Sequence, residues 1–424
     1  MGKWPVRTMT TVLLSTLLYV DKGWSQFEIV EPEPFRREEQ DDRSFDYDKQ
    51  SFIDRFSYRF DLNSYREWEK YREGFRISAG SISSDEMYVA SQFQKKWFLD
   101  DWLFTTLRYR RDEDFDSRFD RVLLGVGLQG FAHWSFTTLA DVVQEKEDID
   151  LHFELGWQEQ PRKPGQQYDE TQGIGSRVRL ALVLADRFFN GKNDEGFYST
   201  KPVTVFAEGV HAFGLSSFVH FWANYNSKLS LTLHEDDSEF RYEQISGGAR
   251  VDLALSEQLR LHLRLREEQG EQNRNGNPEL TSVQDFDRES MIAEVQLDFQ
   301  ISEQISTWLG ARYFFLDEDD QRINRLPKER EITRYESMGH TGVKWRISER
   351  LKFSPGVYLN YVDVTDEFPL NPQNSREDKE LTGKFTFPVE IAFPYHDGRF
   401  IFQPTLEFPG HIFGGLNVQV QFLL

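Results

Sequence analysis

The sequence predicts an all-β chain: a transmembrane, antiparallel, up-and-down β-barrel of about 18 strands, bounded by roughly 16 and 20. Three observations carry that expectation. The chain is rich in aromatic residues (37 Phe, 16 Tyr and 10 Trp in 424 residues) yet carries a formal charge of −21 and a mean hydropathy of −0.62. Segments of ten to fifteen residues alternate apolar with polar from about residue 72 onward. The N-terminus reads as an export signal.

Aliphatic residues dominate a compact core, whereas a sheet with one greasy and one wet face accounts for many aromatics among many charges. The chain has no cysteine, so an exported protein of this kind has no disulfide framework. Hydrogen bonding closed around a sheet in lipid is the alternative source of stability.

Residues 1–25 are read first. Lys3 and Arg7 precede the apolar run Met9–Val20, and Gly23 and Ser25 are the small residues of a cleavage site. Twelve apolar residues are short of the ~20 that a spanning helix needs, so the segment is expected to be a cleaved secretory signal. Losing Lys3, Arg7, Lys22 and Asp21 would take the net charge from −21 to −23. Residues 26–71 follow as an extended periplasmic lead, partly disordered, in which prolines and alternating charges argue against a domain. The lead is too short to be the folded plug of a TonB-dependent transporter. Within it, residues 51–63 alternate Phe56, Tyr58, Phe60 and Leu62 with Arg55, Arg59 and Asp61. Counting them as a strand makes the total odd, so either they are a periplasmic or lumenal element, or they are an additional strand and one elsewhere, as in the long 215–235 stretch, is merged or split.

The barrel is expected over residues 72–424. Clear alternation occurs at Val178–Leu184, Leu259–Leu265, Phe385–Phe393 and Leu416–Leu424. A soluble β-sandwich is disfavoured because the strands are too many and the polar faces carry bulky ions. Ser256-Glu-Gln, Ser302-Glu-Gln and Ser348-Glu-Arg recur every 46 residues, and the next step lands on Pro394–Gly398. That spacing holds two strands, one tight turn and one longer loop, and predicts short periplasmic turns. The opposite connections at 271–286, 319–331 and 365–379 are acidic and predict extracellular loops. An even strand count keeps both termini in the periplasm. Tyr109, Tyr225, Tyr313, Tyr361 and Trp345 fall at the ends of apolar faces and suit an interfacial girdle.

Parity then assigns the wall. If the leucines face lipid, Arg177, Arg179, Arg260, His262, Arg264 and Arg266 face the lumen. The same reasoning places Arg108, Arg110, Arg121, Arg250, Arg312, Lys344 and Arg346 there, together with Lys352, Lys384 and Arg399. The lumenal acids on this reading are Asp252, Glu294, Asp298, Glu390 and Glu407. A cationic wall lowers the barrier to anions and repels cations, and long arginines grip carboxylates or phosphates. The bland alternative is an Arg–Glu ladder that only holds the wall.

Other chemistry finds little support. His211, His220, His234, His262 and His340 have no nucleophile or acid at a telling spacing, so neither a catalytic site nor a cofactor is expected. Asp317–Asp320 and Glu235–Asp237 read as solvated loop tips rather than metal sites. The acidic balance argues against nucleic acid.

The 18-strand plan with a short lead, no plug and an arginine-rich lumen resembles the alginate-export family of outer-membrane porins. The resemblance is architectural and covers the strand region, and the chain departs from it by placing Asp252 and Glu294 inside. It implies passive passage of an anionic polysaccharide, such as a polyuronate, through an electropositive pore. The expectation is therefore a bacterial outer-membrane channel for small or anionic solutes, with a structural or scaffold barrel as the alternative. Its partners would be outer-membrane lipid, lipopolysaccharide and the barrel-assembly machinery, the last through the alternating C-terminal strand. That strand ends on Leu424 rather than an aromatic residue, with Phe422 two before it.

Overall fold

The computed structural model describes residues 74–81, 87–114, 118–131, 133–142, 150–159, 175–184, 196–201, 203–213, 217–233, 239–275, 283–323, 328–393, 398–408 and 413–423. The expected signal, the lead and the alternating segment 51–63 lie outside these residues.

The described chain is a closed antiparallel barrel of 18 strands. β1 to β7 are Gly74–Ser81, Met87–Phe98, Leu103–Asp114, Arg118–Phe131, Trp134–Asp141, Leu151–Gln158 and Arg177–Leu184. β8 runs in two pieces, Gly196–Thr200 and Val203–Phe213, and is followed by β9 (Ser217–Leu233) and β10 (Glu239–Ala254). β11 to β14 are Leu259–Asn275, Val283–Gln300, Ile305–Ile323 and Lys328–Arg346. β15 (Leu351–Phe353 with Gly356–Glu367) and β16 (Arg376–Thr386 with Val389–Phe393) are also interrupted. β17 (Gly398–Phe408) and β18 (Leu416–Leu423) complete the sheet.

Each strand pairs with its neighbours in sequence, and β18 pairs with β1 from Leu416↔Ser81 to Leu423↔Gly74. Closure leaves no edge, which is what a sheet needs in hydrocarbon. The breaks in β15 and β16 fall at Pro355 and Pro388, which lack an N–H for the ladder. Both keep their carbonyls in use: Val343 N–H donates to Pro355 O at 3.0 Å and Ser354 N–H to Pro388 O at 2.9 Å.

The repeated serine turns form as the spacing predicts. Ser256 Oγ accepts the N–H groups of Gln258 (3.2 Å) and Leu259 (3.0 Å). Ser302 Oγ does the same for Gln304 and Ile305 at 3.3 and 3.1 Å, and Ser348 Oγ for Arg350 and Leu351 at 3.3 and 3.2 Å. A short side chain thus satisfies the donors that a tight turn leaves open. The turn between β2 and β3 repeats the backbone pattern, with Leu99 N–H donating to Leu103 O at 2.9 Å and Asp100 in the serine's place. The fourth expected turn, at 394–398, begins outside the described residues.

One expectation is corrected. The acidic stretches assigned to loops stand largely on strands: β11 extends to Asn275, β13 to Ile323, and β14 begins at Lys328. Aspartate and glutamate disfavour strands in isolation, but ladder bonds with already paired neighbours override that preference. Alternation also splits Asp317–Asp320 between faces. Asp317 and Asp319 pair on the outward row with Glu289 and Asp287, while Glu318 and Asp320 pair inward with Arg288 and Phe286.

The exterior is apolar where lipid is expected. Leu263, Val295, Leu309, Leu359 and Leu381 are exposed, and Trp97, Trp102, Trp134 and Trp345 are exposed near the turn end. Tyr225, Tyr335 and Tyr361 form exposed outward positions farther up. Such rings suit the lipid headgroup level.

Candidate functional site

Register fixes which residues share the inner wall. One cross-strand row joins Arg250, Arg264, Glu294, Arg312, Met338, Asn360 and Thr382. The next row toward the turns joins Asp252, His262, Gln296, Gly310, His340, Tyr358, Lys384 and Glu407. Neither row contains any of the exposed leucines, which occupy the alternate positions, so both face the lumen.

Register places the assigned residues whose side chains are described on the same parity as these rows. Arg260, His262, Arg264 and Arg266 take successive inward positions on β11. Arg108 lies opposite Leu123, a buried position of β4. Arg110 and Arg121 are cross-strand partners, and their side chains fall outside the described set. Arg177 and Arg179 stand at the start of β7, opposite Val210 and Glu208. Lys344 pairs with Ser306, and Arg346 with Lys352. Arg346 reaches back to the turn, where its Nη2 donates to the Glu303 carbonyl at 2.6 Å.

The structure also supplies acids that the sequence reading did not count. Arg108 grips Glu154 with both Nη atoms, at 2.5 and 2.7 Å. Arg179 donates to Glu154 at 2.6 Å and to Glu208 at 3.3 Å. Arg266 bridges to Glu268 at 2.9 Å, and Arg334 to Glu336 at 2.7 Å. Glu154 and Glu208 share the inward parity of their strands, so the alternation alone locates them.

The remaining contacts, apart from Arg250 with Asp252 on a single strand, link strands. Arg250 bridges to Asp252 at 2.8 Å. His262 contacts Asp252 through Nδ1 and approaches Asp298 through Nε2 at 3.7 Å, while Lys344 Nζ reaches Asp298 at 3.2 Å. Glu294 takes Arg312 at 2.6 Å and Arg264 at 3.9 Å. Lys352 and Arg399 share Glu390 at 3.0 and 3.6 Å. Carboxylates are therefore interleaved with the cations.

The two charges of a pair do not sit at the same depth. Side-chain exposure is 26% for Arg264 against 14% for Glu294, 45% for Lys344 against 23% for Asp298, and 36% for Lys352 against 17% for Glu390. Long cationic side chains carry their heads away from the backbone, while short carboxylates stay near the wall. At these three pairs the cation is the more exposed partner, whereas Arg312 at 2% is deeper than Glu294 at 14%.

Rings lie flat where glycine permits. A Cβ on Gly342 would fall 2.2 Å from the Trp308 ring, and one on Gly310 would fall 2.4 Å from His340. Lys344 Nζ stands 5.5 Å from the centre of the same Trp308 ring. Among the described residues no group of three or more His, Asp or Glu is arranged to hold a metal.

No protein-family model matches the chain, and no curated protein matches it. Solved structures similar to it include OccAB3 of Acinetobacter baumannii, at 10% identity and a TM-score of 0.40, covering 82% of this chain and 97% of that one. Another is OmpT of Vibrio cholerae, at 9% identity and a TM-score of 0.31, covering 82% and 94%. A third, described as a bacterial polysaccharide outer membrane secretin, has 8% identity and a TM-score of 0.35, covering 84% and 99%. The closed sheet with its apolar exterior and charged interior is an up-and-down β-barrel.

Proposed function

We propose that this protein is an outer-membrane channel for passive passage of small or anionic solutes. The observation that carries this reading is the unequal depth of the ion pairs: on β11 to β15 the cationic heads of Arg264, Lys344 and Lys352 are more exposed than the carboxylates they pair with. Charge exposed along a pore wall sets selectivity, and buried counter-charge does so less. An acidic polysaccharide is the finer member of this class, since repeated carboxylates match repeated guanidinium and ammonium heads.

Planar-bilayer recording of the folded protein tests it. Reversal potentials under a salt gradient are expected to favour anions, and Arg264→Glu with Lys344→Glu is expected to move the preference toward cations. Absence of any current would overturn the channel reading and favour a scaffold barrel. A preference for cations that is unchanged in the double variant would overturn the anion reading. Attachment to the assembly machinery is proposed through the strand Leu416–Leu423, whose outward face is apolar and which closes the sheet.

A further inference from the structure

Three aromatic rings of the inner wall are laid down in the same way. Phe104 of β3 pairs across the sheet with Gly127 of β4, Trp222 of β9 with Gly248 of β10, and Trp308 of β13 with Gly342 of β14. In each pair the ring takes the space beside the glycine: an added Cβ would fall 2.2 Å from the Phe104 ring, 2.7 Å from the Trp222 indole nitrogen and 2.2 Å from the Trp308 ring. Each ring also carries a cation. Lys96 Nζ stands 5.2 Å from the centre of Phe104, the Arg266 guanidinium carbon 5.7 Å from that of Trp222, and Lys344 Nζ 5.5 Å from that of Trp308. All three fall within the ~6 Å over which an aromatic face attracts a cation.

A ring and a carboxylate hold a cation with different consequences. A carboxylate cancels the charge it holds, whereas a ring attracts through its quadrupole and brings no net charge. Arg179 lies 5.6 Å from the Phe206 ring, but Glu154 and Glu208 hold it at 2.6 and 3.3 Å, and its side chain is only 12% exposed. Lys344 is held differently. Asp298 approaches it at 3.2 Å, but that carboxylate also accepts from Gln296 Nε2 at 2.6 Å and lies 3.7 Å from His262 Nε2. One acid is thus divided among three groups, and Lys344 stays 45% exposed above a buried Trp308.

We propose that Trp308 is a positioning residue for the specificity of the pore: its indole face, seated against Gly342, props the Lys344 ammonium into the lumen. Trp222 does the same for Arg266, which is 30% exposed. The consequence for selectivity rests on the channel reading, whereas the placement of the ammonium is a property of the wall alone.

Amine labelling tests that placement without any current. Folded protein, verified by heat-modifiable migration, is treated with a small water-soluble acylating reagent, and modification of Lys344 is read by mass spectrometry. The rate is followed up to the pH at which it stops rising, which separates access from ionisation. Lys379, 50% exposed on the outward row of Tyr335, is the internal reference. Trp308→Leu is expected to lower the limiting Lys344 rate at least about threefold, while Trp308→Phe, which keeps an aromatic face, stays within about twofold of the unaltered protein. Should Trp308→Leu not fold, Gly342→Ala, which displaces the ring, replaces it with the same expected fall. An unchanged Lys344 rate without the ring, or an equal fall in Trp308→Phe and Trp308→Leu, would overturn the proposal. In planar bilayers Trp308→Leu is expected to lower the anion-to-cation permeability ratio, and to have no effect when Lys344→Gln is already present. An equal loss in both backgrounds would overturn the positioning role. Absence of any current overturns the channel reading instead, and the labelling rates still decide this proposal.

Discussion

Glu154 is the residue on which a stretch of the wall turns. It accepts from Arg108 and Arg179, which reach it from β3 and β7, and the pairs are largely shielded from solvent. Removing one member of a shielded pair leaves the other charge uncompensated, so Glu154→Gln is expected to lower stability by roughly 3 kcal/mol. Urea unfolding in detergent checks this, and an unchanged midpoint would mean the arginines are solvated instead. Gly342 carries a different constraint. Its missing Cβ makes room for Trp308, so Gly342→Ala is expected to cost about 1–3 kcal/mol by displacing the ring. The two faces of the wall were legible from parity, because β11 alternates Arg260, His262, Arg264 and Arg266 with four leucines without a break. Their partners were less legible. Arg108 and Glu154 are 46 positions apart and on strands that do not pair, and such a contact follows from barrel curvature rather than from alternation. Depth within the lumen, which separates Lys344 from Lys384, has no local sequence signal at all.

At the scale of strands and turns, the serine motif was legible because it repeats, whereas the β2–β3 turn was not, since Asp100 takes the serine's place. Ser302→Ala and Ser348→Ala are each expected to cost on the order of 1 kcal/mol, because each removes an acceptor shared by two backbone donors. A thermal-melting series over the three turns measures it, and the losses should be similar. Strand lengths were underestimated on β11 to β14, where the chain continues through acidic sequence for 17 to 19 residues. A spanning strand needs only about 9–11, so the remainder stands beyond the bilayer. There Glu271, Asp287, Asp319, Glu331 and Glu367 form one outward row across five strands. Burial, and then the neighbouring acids, push the Asp287 and Glu331 carboxyls above their usual range. A carboxyl raised in the folded state holds its proton longer there than in the unfolded chain, so stability is lost as pH rises through the raised value and regained as it falls. Amide exchange in these strand extensions, corrected for its intrinsic pH dependence, is expected to show greater protection below that value. Protection that is indifferent to pH would contradict it.

For the whole molecule, the barrel is lopsided in two respects. Among the described residues its strands are long from β11 to β14 and have 8 residues each from β5 to β7. Its inner side chains stand at unequal depth, Lys344 being 45% exposed where Lys384 is fully buried. Fold class and strand number follow from periodicity and turn spacing, which are local. The interior's asymmetry is a property of the closed circle and emerges only when strands far apart in sequence are brought together. The identical turns at Ser256, Ser302 and Ser348 add a statement about modularity. Between two of them lies a self-contained hairpin with the same punctuation at either side. Excising residues 302–347 would splice β12 to β15 through Ser348, Glu349 and Arg350 without altering the reading frame of inside and outside. The shortened chain is expected to close as a narrower ring with two staves fewer and a lower unit conductance. The molecule can be read as a length of repeatable hairpin whose circumference is set by copy number.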